Sequence, residues 1–173
     1  RVAVAPDEDV EVRRLELHNE TDETRRLRVT GYLELVLARG GEADRHPAFA
    51  KLFVESGFDA ERAVLLFRRR PKSHDEPALH VAHALDVSLG KASEPWYETD
   101  RERFVGRLGS VARPAAMSGE PDDAGALGPT LDPVMVLGRG VDLPPRGRAV
   151  LTFLTAVGRS RGAVVSTVER YRA

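Results

Sequence analysis

A chain of 173 residues with 26 basic and 27 acidic side chains carries a formal net charge of −1. It is long enough for one domain with a sizeable core and offers no overall field to attract nucleic acid or anionic lipid. It has no cysteine, which excludes disulfides and thiolate metal sites and fits a reducing compartment.

No apolar run approaches the roughly 20 residues that a membrane helix needs. The chain opens Arg1-Val2-Ala3-Val4, with no initiator Met and no basic-then-apolar signal segment, and reads as part of a longer protein. In the first segment Val10 and Val12 alternate, then Leu15 and Leu17, so the phase slips at Arg13-Arg14 and predicts a β-bulge there. Leu27, Val29, Leu33, Leu35 and Leu37 share one face of the next strand, with Arg28, Thr30, Tyr32 and Glu34 on the other. Asn19-Glu20-Thr21-Asp22-Glu23 between the two supplies turn chemistry and predicts a hairpin. A second hairpin is expected from Phe49 to Glu55 and Ala63 to Arg69, turning across Ser56 to Ala60. The stretches Arg39 to His46 and Pro114 to Pro129 interrupt the strand pattern and are expected to be either functional or mobile loops.

Arg68-Arg69-Arg70, Arg25-Arg26-Arg28 and Arg13-Arg14 are basic runs interrupted by acids and without interleaved aromatics. They read as solvated strand edges rather than a nucleic-acid face. Ser73-His74-Asp75 spells a hydrolytic triad only in sequence, because triad members converge from separate segments; it reads as a surface turn. Leu79, Val81, His83, Leu85 and Val87 alternate as a strand, which points His80 and His83 to opposite faces and removes the metal site their spacing suggests. His83 is expected as a hydrogen-bonded core histidine.

The segment from Trp96 to Arg107 combines Trp96, Tyr97, Glu98, Asp100, Arg101 and Arg103 at a helix start that Thr99 and Glu102 would cap. Aromatic faces beside Arg and Asp suit a sugar, although Trp96 and Phe104 could equally anchor a connecting helix with the charges as surface pairs. Further strands are expected at Pro133 to Val141 and Ala149 to Val157, with Gly138-Arg139-Gly140 as a turn or bulge. Ser160 caps a predicted helix with Val164, Val168 and Tyr171 on one face and nothing obvious to pack on. Short strands between Gly, Pro and Asp clusters argue for an all-β sandwich.

Several motifs occur in an order that resembles one family. They are His46-Pro47-Ala48-Phe49 leading to Leu52-Phe53-Val54-Glu55, Arg69-Arg70-Pro71-Lys72-Ser73 with Glu76-Pro77, Tyr97-Glu98-Thr99-Asp100-Arg101 with Phe104, Gly106 and Arg107, and Leu131-Asp132-Pro133, closed by Ser160-Arg161 and Glu169-Arg170-Tyr171. This set resembles the phosphorylase-like region near the carboxyl end of cyclic β-1,2-glucan synthases, related to glycoside hydrolase family 94 with its cellobiose and chitobiose phosphorylases. The resemblance spans nearly the whole chain. It implies an antiparallel β-supersandwich of galactose-mutarotase-like type, present in its latter part over residues 1–159, with residues 160–173 beginning a linker helix toward an (α/α)6 barrel.

The resemblance also implies inverting phosphorolysis by a carboxylic acid in that barrel, so no catalytic centre is expected in this chain. Thr99, Asp100, Arg101 and Arg107 are the substrate-binding residues it implies, with Thr99 to Arg101 facing the acceptor-side sugar and Trp96 or Tyr97 adding an apolar face. Expected partners are a β-glucan or oligosaccharide, the adjacent barrel and a second copy in a homodimer, with no nucleic acid and no direct membrane contact. No cofactor is expected in the chain itself, while the parent would use inorganic phosphate and UDP-glucose at the cytoplasmic side of a bacterial inner membrane. The alternatives are the same domain of a soluble cellobiose-like or chitobiose-like phosphorylase, or a purely structural assembly module.

Overall fold

The computed structural model describes residues 1–38, 41–74, 76–118 and 125–172. Asp75 and parts of the two long loops, residues 39–40 and 119–124, lie outside the described residues. The strands are β1 (Val2–Val4), β2 (Val10–His18), β3 (Arg25–Glu34), β4 (Val54–Asp59), β5 (Val64–Arg69), β6 (Leu79–Leu89), β7 (Lys91–Ala92), β8 (Trp96–Asp100), β9 (Gly128–Pro129), β10 (Pro133–Leu143) and β11 (Arg148–Gly158). Helices α1 (Glu42–Arg45) and α2 (Pro47–Lys51) follow β3, α3 (Arg101–Val105) follows β8, and α4 (Arg161–Tyr171) follows β11.

Among the described residues the strands form two sheets with antiparallel pairing throughout. The larger sheet runs β1-β2-β11-β6-β5-β4-β9, and the smaller runs β3-β10-β7 with β8 also on β10. Two apolar clusters fill the space between the sheets, one around Leu85, Leu137 and Leu151 and one around Leu65, Phe67 and Met135. Each sheet is covered on its outer face too. Val164 and Val168 of α4 pack on Val10, Val64, Ala82 and Leu154 of the larger sheet. Phe104 and Val105 of α3 pack with Trp96, Val134 and Val136 on the smaller one. The all-β sandwich is thus present, flanked by a helix on either side.

The pairing departs from the sequence reading in instructive ways. β2 and β3 do not form a hairpin: β2 pairs with β11, while β3 pairs with β10 of the other sheet. The turn between them changes sheet, and Asn19 Nδ2 fixes it by donating to the carbonyls of Glu23 and Pro144 at 2.8 Å each. No bulge occurs at Arg13-Arg14; β2 stays in register from Val10 opposite Ala156 to His18 opposite Arg148. The phase slip has another cause. Val10 and Val12 face the α4 cluster and Leu17 faces the inter-sheet cluster, so the strand is covered on opposite faces at its two ends.

The expected strand from Phe49 instead begins as a helix. Pro47 opens α2, where a missing N–H costs nothing, and Phe49 and Phe53, four apart, meet edge to face at 5.3 Å. The hairpin between β4 and β5 forms, but Ser56 to Asp59 are strand and the turn lies after them. Gly138-Arg139-Gly140 is neither turn nor bulge but the middle of β10. A Cβ on Gly138 would lie 2.5 Å from Trp96 Nε1, so the glycine makes room for the indole. Of the basic runs, only that on β3 lies on a sheet edge. Arg69 sits on an interior strand, 3% exposed, and pairs with Glu76.

Candidate functional site

The segment after the β7 turn becomes a site because a short strand feeds directly into a short helix. β8 pairs with β10, bringing Asp100 opposite Pro133, and Arg101 N donates to Asp132 O at 3.0 Å. The helix cap falls one residue later than the sequence suggests. Asp100, not Thr99, caps α3: its Oδ1 accepts from Glu102 N at 2.8 Å and Arg103 N at 3.3 Å. Thr99 is turned fully inward. Its hydroxyl donates to Ala126 O at 2.6 Å and lies 2.9 Å from Ser56 Oγ on β4.

Glu98 is buried at 6% exposure and tolerates it by being saturated with donors. Oε1 accepts from the backbone N–H groups of Thr99, Asp100 and Ala126 at 2.8, 3.0 and 3.1 Å, and Oε2 from Arg103 Nε at 2.8 Å. One buried carboxylate therefore fixes the path of the chain on both sides of Thr99. The sequence signal for this was present, since Glu98 shares strand parity with the apolar Trp96, but parity alone does not reveal three converging N–H groups.

The aromatic residues do not offer an open face. Trp96 is 9% exposed, beneath Arg28 and beside Phe104. Tyr97 stacks on Phe58 at 4.4 Å between the sheets. What faces outward is Arg101, 38% exposed, with Nε donating to Glu34 Oε1 at 3.3 Å. Arg107 is exposed on the turn after α3, which Gly106 opens at φ 83° and Gly109 N closes by donating to Gly106 O at 3.2 Å. Among the described residues no hydrogen bond or ion pair joins it to Asp100 or Arg101.

The dispersed motifs meet at this end of the sandwich. Lys51 at the end of α2 pairs with Asp132, whose carbonyl holds Arg101 N. Phe49 and Phe53 lie beneath the Lys72 ammonium, which is 5.0 and 5.3 Å from their ring centres. Arg70 N donates to Phe53 O at 2.8 Å, Arg70 Nε pairs with Glu55 at 3.0 Å, and Lys72 N donates to Glu76 Oε2 at 2.7 Å. Segments that begin at His46, Arg69, Tyr97 and Leu131 thus form one connected surface. Elsewhere, His80 and His83 occupy opposite faces of β6, with His83 Nδ1 2.9 Å from Thr155 Oγ1 in the core. Ser73 and His74 are exposed in a turn closed by Glu76 N on Ser73 O, and Asp75 lies outside the described residues.

The chain aligns over 169 residues with the cyclic beta-(1,2)-glucan synthase NdvB of Rhizobium meliloti (strain 1021), at 34% identity across 98% of its own length. It spans only 6% of that much longer protein. The family described as glycosyl hydrolase 94, supersandwich domain, matches residues 1–173. With that match across an antiparallel two-sheet sandwich, the chain belongs to the glycosyl hydrolase 94 supersandwich-domain family.

Proposed function

We propose that this domain is a noncatalytic, carbohydrate-facing wall in a cyclic β-1,2-glucan synthase, supporting glucan binding and phosphorolytic chain-length control by an adjacent (α/α)6 barrel. The observation that carries this reading is the convergence of the four motif segments on the end that presents Asp100 and Arg101. Their backbone is held by Glu98 and Asp132, so the two side chains are displayed from a rigid base. Asp100 uses Oδ1 for the cap, and a carboxylate can accept further hydrogen bonds from sugar hydroxyls. Arg101 donates to hydroxyl or ring oxygens, Arg107 offers a further exposed donor on the turn after α3, and Thr99 serves by anchoring the strand to β4. Bond cleavage, inorganic phosphate and UDP-glucose belong to other parts of the parent in this reading.

The test is glucan saturation in the complete gene product. Asp100→Asn keeps a good helix cap while removing the charge. It should raise the half-saturating concentration of a linear β-1,2-glucan by about tenfold, as should Arg101→Ala, because hydrogen bonds to charged groups are the stronger ones. Saturation unchanged in both variants would leave a purely structural module as the better account.

A further inference from the structure

Arg101 is held by residues far away in sequence. Its Nε donates to Glu34 Oε1 at 3.3 Å, and the Tyr32 hydroxyl donates to the same oxygen at 2.8 Å. Glu34 Oε1 thus links the guanidinium to the Tyr32 hydroxyl in a chain of three side chains. Tyr32 and Glu34 lie two apart on β3, so they share the face that looks toward α3. The Tyr32 ring is stacked on Phe104 at 5.3 Å, and Phe104 is 2% exposed. The chain of polar groups therefore stands on a fixed aromatic base.

Stability does not account for this arrangement. Glu34 is 55% exposed and Arg101 38% exposed, and ion pairs so open to water contribute little to folding. A long Arg side chain loses much rotamer freedom when it is fixed, and fixing it before a ligand arrives removes that cost from binding. The bond to Glu34 occupies only part of the five N–H donors of a guanidinium, leaving donor capacity for hydroxyl groups.

We propose that Glu34 and Tyr32 are positioning residues of the glucan-facing end, holding the Arg101 guanidinium in the orientation that receives sugar hydroxyls. This rests on the reading of Asp100 and Arg101 as glucan contacts. It adds the edge strand β3, which carries none of the motifs, to that surface.

The experiment measures half-saturation by a linear β-1,2-glucan oligosaccharide in the complete gene product for Glu34→Gln, Tyr32→Phe, Arg101→Ala and the double variant Glu34→Gln with Arg101→Ala. Glu34→Gln should raise the half-saturating concentration about tenfold and Tyr32→Phe about threefold, with the maximal rate within twofold of the parent. Once Arg101 is Ala, Glu34→Gln should have no further effect, an outcome that a merely structural role for Glu34 would not produce. Wild-type saturation in Glu34→Gln, or effects that multiply in the double variant, overturns the positioning role alone. Unchanged saturation in Arg101→Ala overturns the glucan reading and this inference with it.

Discussion

His83 shows how a single side chain couples packing to pH. It is 1% exposed, stacked against Phe153, with Nδ1 on Thr155 and no partner at Nε2. Burial, reinforced by the nearby Arg13 charge, lowers its pKa to about 4 from an ordinary 6.5. The folded protein keeps the ring neutral below pH 6.5 while the unfolded chain takes up a proton. The contribution of His83 to stability is therefore full above pH 6.5 and declines as pH falls toward 4, by about 3 kcal/mol in all. Urea unfolding midpoints at pH 7 and pH 5 read this directly. His83→Leu should lose about 2 kcal/mol less than wild type across that interval, and equal losses would refute the neutral-burial account. The core position of His83 was legible because strand parity groups it with Val81 and Leu85. The cap on α3 was not, because Thr99 and Asp100 are both good cap residues and only the pull of Ser56 and Ala126 on the Thr99 hydroxyl decides between them.

At the scale of elements, α4 separates what periodicity conveys from what it leaves out. Ser160 caps it through Ala163 N at 3.2 Å, and Val164 and Val168 are buried, as their spacing predicts. Periodicity names a face without naming its partner. Here the partner is the outer side of β6 and β11, small residues such as Ala82 and Ala156 that let the helix approach closely. Val168→Ala removes two methyl groups from a fully buried position and should cost about 2 kcal/mol, counting transfer and cavity together. Ser166→Ala, on the exposed side, should change stability by less than about 0.5 kcal/mol. Similar midpoints for the two variants in urea would show that α4 is not anchored through this face. The reading of β2 failed for a related reason: a strand covered on different faces at its two ends mimics a bulge in any one-dimensional pattern.

For the whole molecule, alternation marked the central strands but not their neighbours. β2 is completed by β11, from the far end of the chain, and nothing in Val10 to Leu17 specifies that pairing. Such non-local order emerges only when both sheets bury their shared core. The candidate site sits where the sheets are also joined by polar contacts, since Ser56 belongs to the larger sheet and Thr99 to the smaller. Ser56 Oγ also accepts from Gly128 N at 3.1 Å, and its single proton is within reach of both Thr99 Oγ1 and Gly128 O, drawing β9 into the same junction. Removing either hydroxyl leaves the other short of a partner, so the two losses should not add. A cycle of Ser56→Ala, Thr99→Val and the double variant, followed by urea unfolding, should give a coupling energy of about 1 kcal/mol. Additivity within about 0.3 kcal/mol would mean that apolar packing alone holds the sheets together here. With coupling of the expected size, the junction that binds the sheets also fixes Thr99, and through it the backbone from which Asp100 and Arg101 project.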